Sequence, residues 1–270
     1  MCATDGGNMM RAAHSGGGRR VARAAWVALY LVTTMGCKDE AASVRAAPPS
    51  PSAAAAVSSG SAFRVEENGT ASFYIDAPLE KIKGRSSKLR GNVAIDLKDL
   101  KKASGEVDVD LDALVTQTFD DASEDKSQTE HAHNWFEIGT DVEPKRREEN
   151  RWARFFLRSV EEASAADLAS AAEKAGERTV NVTARGDLWL HGVSAPKTVK
   201  LAATFQGPPS APTRLRLVTA EPLLVSLKEH DVKPRDVAGK FLNGALEKVG
   251  KKIDDAVQVS LDVTATPGKP

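Results

Sequence analysis

The sequence predicts an all-β fold, an antiparallel sandwich or closed barrel of about eight strands. Two short helices interrupt it, and a disordered N-terminal signal and linker precede it. Three observations carry that expectation. From Phe63 to Val263, apolar and polar residues alternate repeatedly, the period of a strand with one buried and one wet face. At least eight such runs fit within about 200 residues, a density met by sandwiches and barrels. The first 62 residues carry none of this alternation.

In chain order, Phe73 and Ile75 alternate with Ser72, Tyr74 and Asp76, and Val93, Ile95 and Leu97 with Asn92 and Asp96. Val107, Val109 and Leu111 alternate with Asp108, Asp110 and Asp112, the clearest case. Ala153, Phe155 and Leu157 face away from Arg154 and Arg158, with Phe156 an exception on the polar side. Val180, Val182, Ala184, Leu188 and Leu190 continue the pattern across Gly186. Val199 to Phe205, Leu215 and Leu217, Leu223 to Leu227, and Val257 to Val263 complete it. The Ala- and Glu-rich stretch 163–175 predicts a helix ended by Gly176, and 236–252 places Val237, Phe241, Leu242, Ala245 and Val249 at helical spacing.

Composition narrows the function classes. The 270 residues carry 37 basic and 37 acidic side chains, a balance that argues against a nucleic-acid partner. Two cysteines make neither a disulfide framework nor a Cys-rich zinc site. The longest uncharged apolar run is too short for a polytopic membrane protein.

That run belongs to the leader. Arg11, Arg19, Arg20 and Arg23 precede twelve uncharged residues, Ala24 to Met35, and then Gly36-Cys37 and the charged Lys38-Asp39-Glu40. This order is a secretory signal over residues 1–36. Gly36-Cys37 behind an apolar run resembles a bacterial lipobox, although Thr34 stands where Leu is usual. The resemblance implies cleavage before Cys37, lipidation of its sulfur, and an exported protein anchored to the bacterial envelope. Loss of 1–36 leaves 33 basic against 36 acidic residues. Residues 37–62 form the lipidated cysteine and a tether, since 18 of the 22 residues from Ala41 to Ala62 are Ala, Ser or Pro. As coil it spans roughly 25 Å, and as polyproline II up to about 70 Å.

Candidates for chemistry are few. Glu130, His131 and His133 make the one metal-like cluster, but they lie in a stretch that reads as loop and lack a third ligand at a telling spacing. Asp108, Asp110 and Asp112 read as a solvated strand face rather than a cation loop. His191 reads as a turn residue with a structural hydrogen bond, and His230-Asp231 as part of a charged turn leading into the 236–252 helix. Lys145-Arg146-Arg147 is compensated by Glu148-Glu149. No nucleophile elbow or phosphate loop is present, so the expectation is a protein without catalytic residues, metal or cofactor.

Four segments together resemble the YceI-like family. Gly186-Asp187-Leu188-Trp189-Leu190-His191-Gly192-Val193-Ser194-Ala195-Pro196-Lys197 is similar to its Gly-Asp-Leu-Thr-Ile-His-Gly-Val-Thr-Lys-Pro-Val run, with Trp189 in place of Thr. Val109 to Thr116, Asn134 to Ile138 and Ala153 to Ser159 follow the family's other motifs in order. The stretch Ser127 to His133 departs from its Arg-Asp-x-His-Leu segment. The resemblance implies a lipocalin-like barrel over 63–266 whose pore holds a long amphiphile, a polyisoprenoid or other lipid. Phe73, Val109, Leu111, Phe155, Leu157, Val182, Leu188 and Leu190 are the expected pore-lining residues. The alternative is a solid barrel, plugged by Phe73, Phe155 and Phe205, that meets a protein partner through exposed Trp135, Trp152, Phe156 and Trp189.

Overall fold

The computed structural model describes residues 60–76, 81–233 and 256–268. Cys37, the leader, most of the tether and the 236–252 helix expected from the sequence lie outside the described residues. The strands are β1 (Ser61–Val65), β2 (Thr70–Asp76), β3 (Lys81–Ser86), β4 (Leu89–Ile95), β5 (Ser104–Asp110), β6 (Leu114–Thr116) and β7 (Trp152–Ala163). There follow β8 (Glu173–Lys174), β9 (Glu177–Leu190), β10 (Val193–Gln206), β11 (Arg214–Thr219), β12 (Leu223–Ser226) and β13 (Ala256–Pro267). Two helices, α1 (Ala122–Trp135) and α2 (Pro144–Asn150), join β6 to β7.

The order β1-β4-β5-β7-β9-β10-β11-β13 closes on itself because β13 pairs with β1 as well as β11. The result is a closed antiparallel barrel of eight strands, in which every edge of the ring is paired. Beyond short breaks, β2, β3 and β6 extend the sheet from β13, and β12 pairs with the same long strand. Pairing starts at Ser61, two residues ahead of the expected boundary.

Alternation decides what faces inward. Val257, Val259, Leu261, Val263 and Ala265 of β13 stand opposite Ile75, Phe73, Ala71, Leu217 and Leu215. Val107 stands between Gly91 and Phe155, and Phe155 opposite Leu188. The β9–β10 turn is made by His191 (φ 51°) and Gly192 (φ 82°), two left-handed residues as a tight type I′ hairpin needs. Ala175 (φ 55°) and Gly176 (φ 81°) repeat this between β8 and β9.

Both ends of the barrel are plugged. At the upper end, where β1 begins, Leu168 and Ala171 are buried among Phe63, Leu89, Leu100 and Val180. The segment carrying them is not the helix expected over 163–175. Leu168 N–H donates to Leu97 O (2.9 Å), and Leu100 N–H to Ala166 O (3.0 Å), so its backbone is spent on the neighbouring loop. Gly176 accordingly turns a hairpin and caps no helix. At the lower end, Ala132 of α1 and Phe136 and Ile138 beyond it pack on Leu111, Leu114, Leu190 and Val225. The stretch containing His131 and His133, read from sequence as loop, is therefore helical.

Candidate ligand-binding lumen

The upper half of the barrel holds a cavity of about 90 Å³. Its wall includes Val93 and Ile95 of β4, Val107 of β5, Phe155, Leu157 and Val160 of β7, Val180, Val182 and Ala184 of β9, Leu201, Ala203 and Phe205 of β10, and Leu217 of β11. Glu106 is the one charged residue on that wall, and its register places its side chain on the outer face, opposite Asn92 and Phe156. Burial, and then the neighbouring Asp108 carboxylate, push Glu106 above the usual carboxylate range. Inward residues such as Val107, Phe155, Leu157, Val182, Leu201 and Leu217 stay only half-buried because they face this space.

Of the eight pore residues expected from sequence, Phe155, Leu157 and Val182 line the cavity. Val109 packs against the core just beside it. Phe73, Leu188 and Leu190 belong to the filled lower layer. Leu111 joins that layer by another route: β5 ends at Asp110, and Leu111–Ala113 form a 3-10 turn, so the expected strand alternation stops there. Val160 lines the cavity unforeseen, because bulges at Leu157/Ser159 and Val160/Glu162 shift the register of β7. Leu100 and Ala103, from the 3-10 turn Leu100–Lys102 and the loop before β5, carry no periodic signal that would have found them.

Two aromatic rings lie against glycines in the interior. A Cβ at Gly186 would stand 2.4 Å from Phe155 Cζ, and one at Gly84 would stand 2.3 Å from Phe73 Cζ. Each glycine therefore gives a ring the space that a side chain would otherwise fill.

The outer face differs from the solvated surface expected. Asp108 and Asp110 are 3% and 1% exposed, not solvated. Arg151 clamps Asp110 with Nε at 3.0 Å and Nη2 at 2.8 Å, and Arg90 Nε donates to Asp108 at 3.0 Å. Arg147 beside Asp112 holds that carboxyl below its usual range. Nor do the aromatics form an exposed patch: Phe156 and Trp189 are 3% and 4% exposed, Trp135 packs near Ile75 and Leu227, and Arg90 covers Trp152 at 3.6 Å.

The buried histidines gather at the lower end. His191 sets Nε2 3.2 Å from Glu137 Oε2 and Nδ1 3.3 Å from the His230 carbonyl oxygen. Arg146 also donates to Glu137. Burial alone would push Glu137 up, but Arg146 and His191 hold it below the usual range. His230 is fully buried, with Nδ1 3.1 Å from Val193 O, and burial pushes its imidazole down. His133 sets Nε2 3.0 Å from Leu114 O, while His131 lies two residues away on the helix, so the two rings diverge. No group of three potential metal ligands occurs among the described residues.

Residues 63–265 match the YceI-like domain family. The chain belongs to the YceI-like family. Among solved structures it is similar to a polyisoprenoid-binding domain from Saccharophagus degradans implicated in plant cell wall breakdown, at 16% identity and a TM-score of 0.49, covering 77% of this chain and 99% of that one. It is also similar to BcnA of Burkholderia cenocepacia, at 16% identity and a TM-score of 0.48, covering 75% of this chain and 99% of that one. No curated protein matches it. In this YceI-like barrel, the lumen offers burial without a hydrogen-bond donor or acceptor from any inward side chain of the cavity wall. Such a site recognises shape and apolarity, and it presents no group that would take or give a proton.

Proposed function

We propose that this protein binds the apolar chain of an isoprenoid-like lipid in the barrel lumen and carries or sequesters it without covalent chemistry. The observation that carries the reading is the cavity wall, built from inward-facing aliphatic and aromatic side chains, of which Val107, Phe155, Leu157, Val182, Leu201 and Leu217 remain half-buried. An apolar chain entering it gains about 25 cal/mol for each Å² withdrawn from water. The family's association with polyisoprenoids supports the same ligand class. The lipobox-like Gly36-Cys37 supports an exported, lipid-anchored location, with the tether holding the barrel off the membrane.

Organic extraction of the purified protein followed by mass spectrometry should yield a prenyl lipid in a stoichiometric amount. A lipid-free extract from a protein that also fails to take up added prenols overturns the reading. Anchoring is tested separately: radiolabelled palmitate fed to the producing bacterium should label the wild-type chain and leave Cys37→Ser unlabelled. Equal labelling of both removes the anchor from the proposal.

A further inference from the structure

The two large apolar side chains exposed among the described residues, Leu224 (60%) and Val115 (42%), share one sheet face. It is the outer face of β12, β13, β2, β3 and β6. Leu224 stands in one cross-strand row with Gln258, Tyr74 and Lys83. Val115 stands in the next row, opposite Arg85. At about 4.8 Å per strand, the two apolar tips sit roughly 20 Å apart.

Cations lie between them. Lys81, Lys83 and Arg85 occupy successive outward positions of β3, and all three are exposed. None of these side chains enters an ion pair or a hydrogen bond with a described residue. Elsewhere on the barrel, Arg90, Arg151 and Arg216 are each matched to a carboxylate. Asp76, opposite Lys81, is the one carboxylate on the outward positions of these rows. Next along the chain after β6, Asp121 and Asp125 accept from backbone N–H groups at the entry to α1. The chain from Cys37 onward carries slightly more acid than base, so this face concentrates positive charge against the average.

A protein interface centres on a contiguous apolar core depleted of charge. Here the order is reversed, with separated apolar tips flanking unpaired cations. That arrangement fits a lipid surface, where ammonium and guanidinium groups meet phosphates and apolar side chains enter the headgroup boundary. We propose that this face docks the barrel on an anionic bilayer, with Lys81, Lys83 and Arg85 on lipid phosphates and Leu224 and Val115 among the headgroups. The tether has the reach for it: up to about 70 Å extended, against about 45 Å for the fourteen residues of β10. The inference concerns the outside of the barrel and does not depend on what the lumen holds.

The test attaches an environment-sensitive nitrobenzoxadiazole label to Leu224→Cys in the full chain, with Cys2→Ser and Cys37→Ser removing the other thiols and the acylation site. In low salt, vesicles of equal phosphatidylglycerol and phosphatidylcholine should shift its emission to the blue, and phosphatidylcholine alone should not. The same label at Lys174→Cys, on the β8–β9 hairpin at the other end, should shift with neither, although the leader is common to both chains. Lys83→Glu combined with Arg85→Glu should weaken the response to anionic vesicles at least about tenfold. It should leave prenol uptake unchanged, because neither side chain lines the lumen. Salt at roughly 0.5 M should suppress the shift of the chain without charge reversals, an arm that stands even if the double variant fails to fold. Unchanged emission with anionic vesicles, an equal shift on both vesicle types, or an equal shift at position 174 overturns the docking. So does a shift that resists both salt and charge reversal. A shift that needs no vesicles and grows with protein concentration assigns the face to a second copy of the chain and overturns it as well. Each of these results leaves the lumen reading standing, and a barrel that takes up no prenol leaves the docking standing.

Discussion

Asp110 stands on the outward register of β5, yet 1% of its surface is exposed, and it joins three pieces of chain. Its carboxylate takes the bidentate Arg151 guanidinium at the start of β7. The same group accepts from Asp112 N–H (3.1 Å), starting the turn that ends β5, while its carbonyl accepts from Ser86 Oγ (2.7 Å). Removing one partner of such a pair leaves the other charge poorly compensated. Asp110→Ala should therefore cost about 3 kcal/mol in urea unfolding, and Asp110→Asn somewhat less because its amide oxygen still caps the turn. A loss below about 1 kcal/mol would show that solvent already shares Arg151. Sequence alternation placed Asp108 and Asp110 on the correct face, but their burial was not legible there. Their partners lie 18 and 41 residues away, a pairing set by the barrel and not by spacing along the chain. Gly186 illustrates the same point. A Cβ there would meet the Phe156 carbonyl oxygen at 2.4 Å as well as the Phe155 ring, and backbone cannot yield as a flexible side chain does. Gly186→Ala should cost about 2 kcal/mol by the same measurement, and a neutral effect would mean that β7 can shift away.

Elements whose conformation goes against their own composition were the ones misread. Residues 163–175 have the composition of a helix, and intrinsic propensity is worth at most about 0.7 kcal/mol per ordinary residue. Burying Leu168, which is 1% exposed, outweighs that preference and ties the segment to the Leu97–Leu100 loop. Leu168→Ala should accordingly cost about 2–4 kcal/mol and speed hydrogen exchange at the Leu100 and Leu168 amides, the two donors of the plug. Exchange that quickens evenly across the barrel would instead show that the plug is no separate unit. The converse error was α1, whose sequence is almost wholly polar and so carries no apolar stripe. Its one local sign is Asp121, three residues before Glu124: the Asp121 carboxylate accepts from Ser123 N–H (2.7 Å) and Glu124 N–H (3.1 Å). The strands were legible because period-2 alternation is both their local pattern and their packing rule. The volume left inside was not, because it depends on how side chains from strands distant in sequence meet across the lumen.

At the scale of the whole molecule, the barrel's two ends are closed by unlike means, and the lower end makes its own contribution to the pH dependence of stability. The upper plug is apolar, built on Leu168 and Ala171. The lower end buries His230 and holds Glu137 between Arg146 and His191. Burial lowers the folded-state pKa of His230 below its ordinary 6.5, so the unfolded chain takes up that proton first as pH falls. Stability from this group is complete above pH 6.5 and is lost as pH drops through the interval down to the folded value. Glu137 is likewise held below its ordinary 4.5, so its contribution is complete above that pH and fades under it. Both signs agree, and the wild-type protein should weaken in two stages on acidification, the first beginning near pH 6.5 and the second near pH 4.5. Urea midpoints measured from pH 8 to pH 2.5 resolve the stages. His230→Asn should lower the midpoint at neutral pH yet flatten its decline between pH 6.5 and 5.5, while retaining the second stage. A decline of unchanged slope in that variant would assign the first stage to another histidine and leave His230 as a packing residue alone.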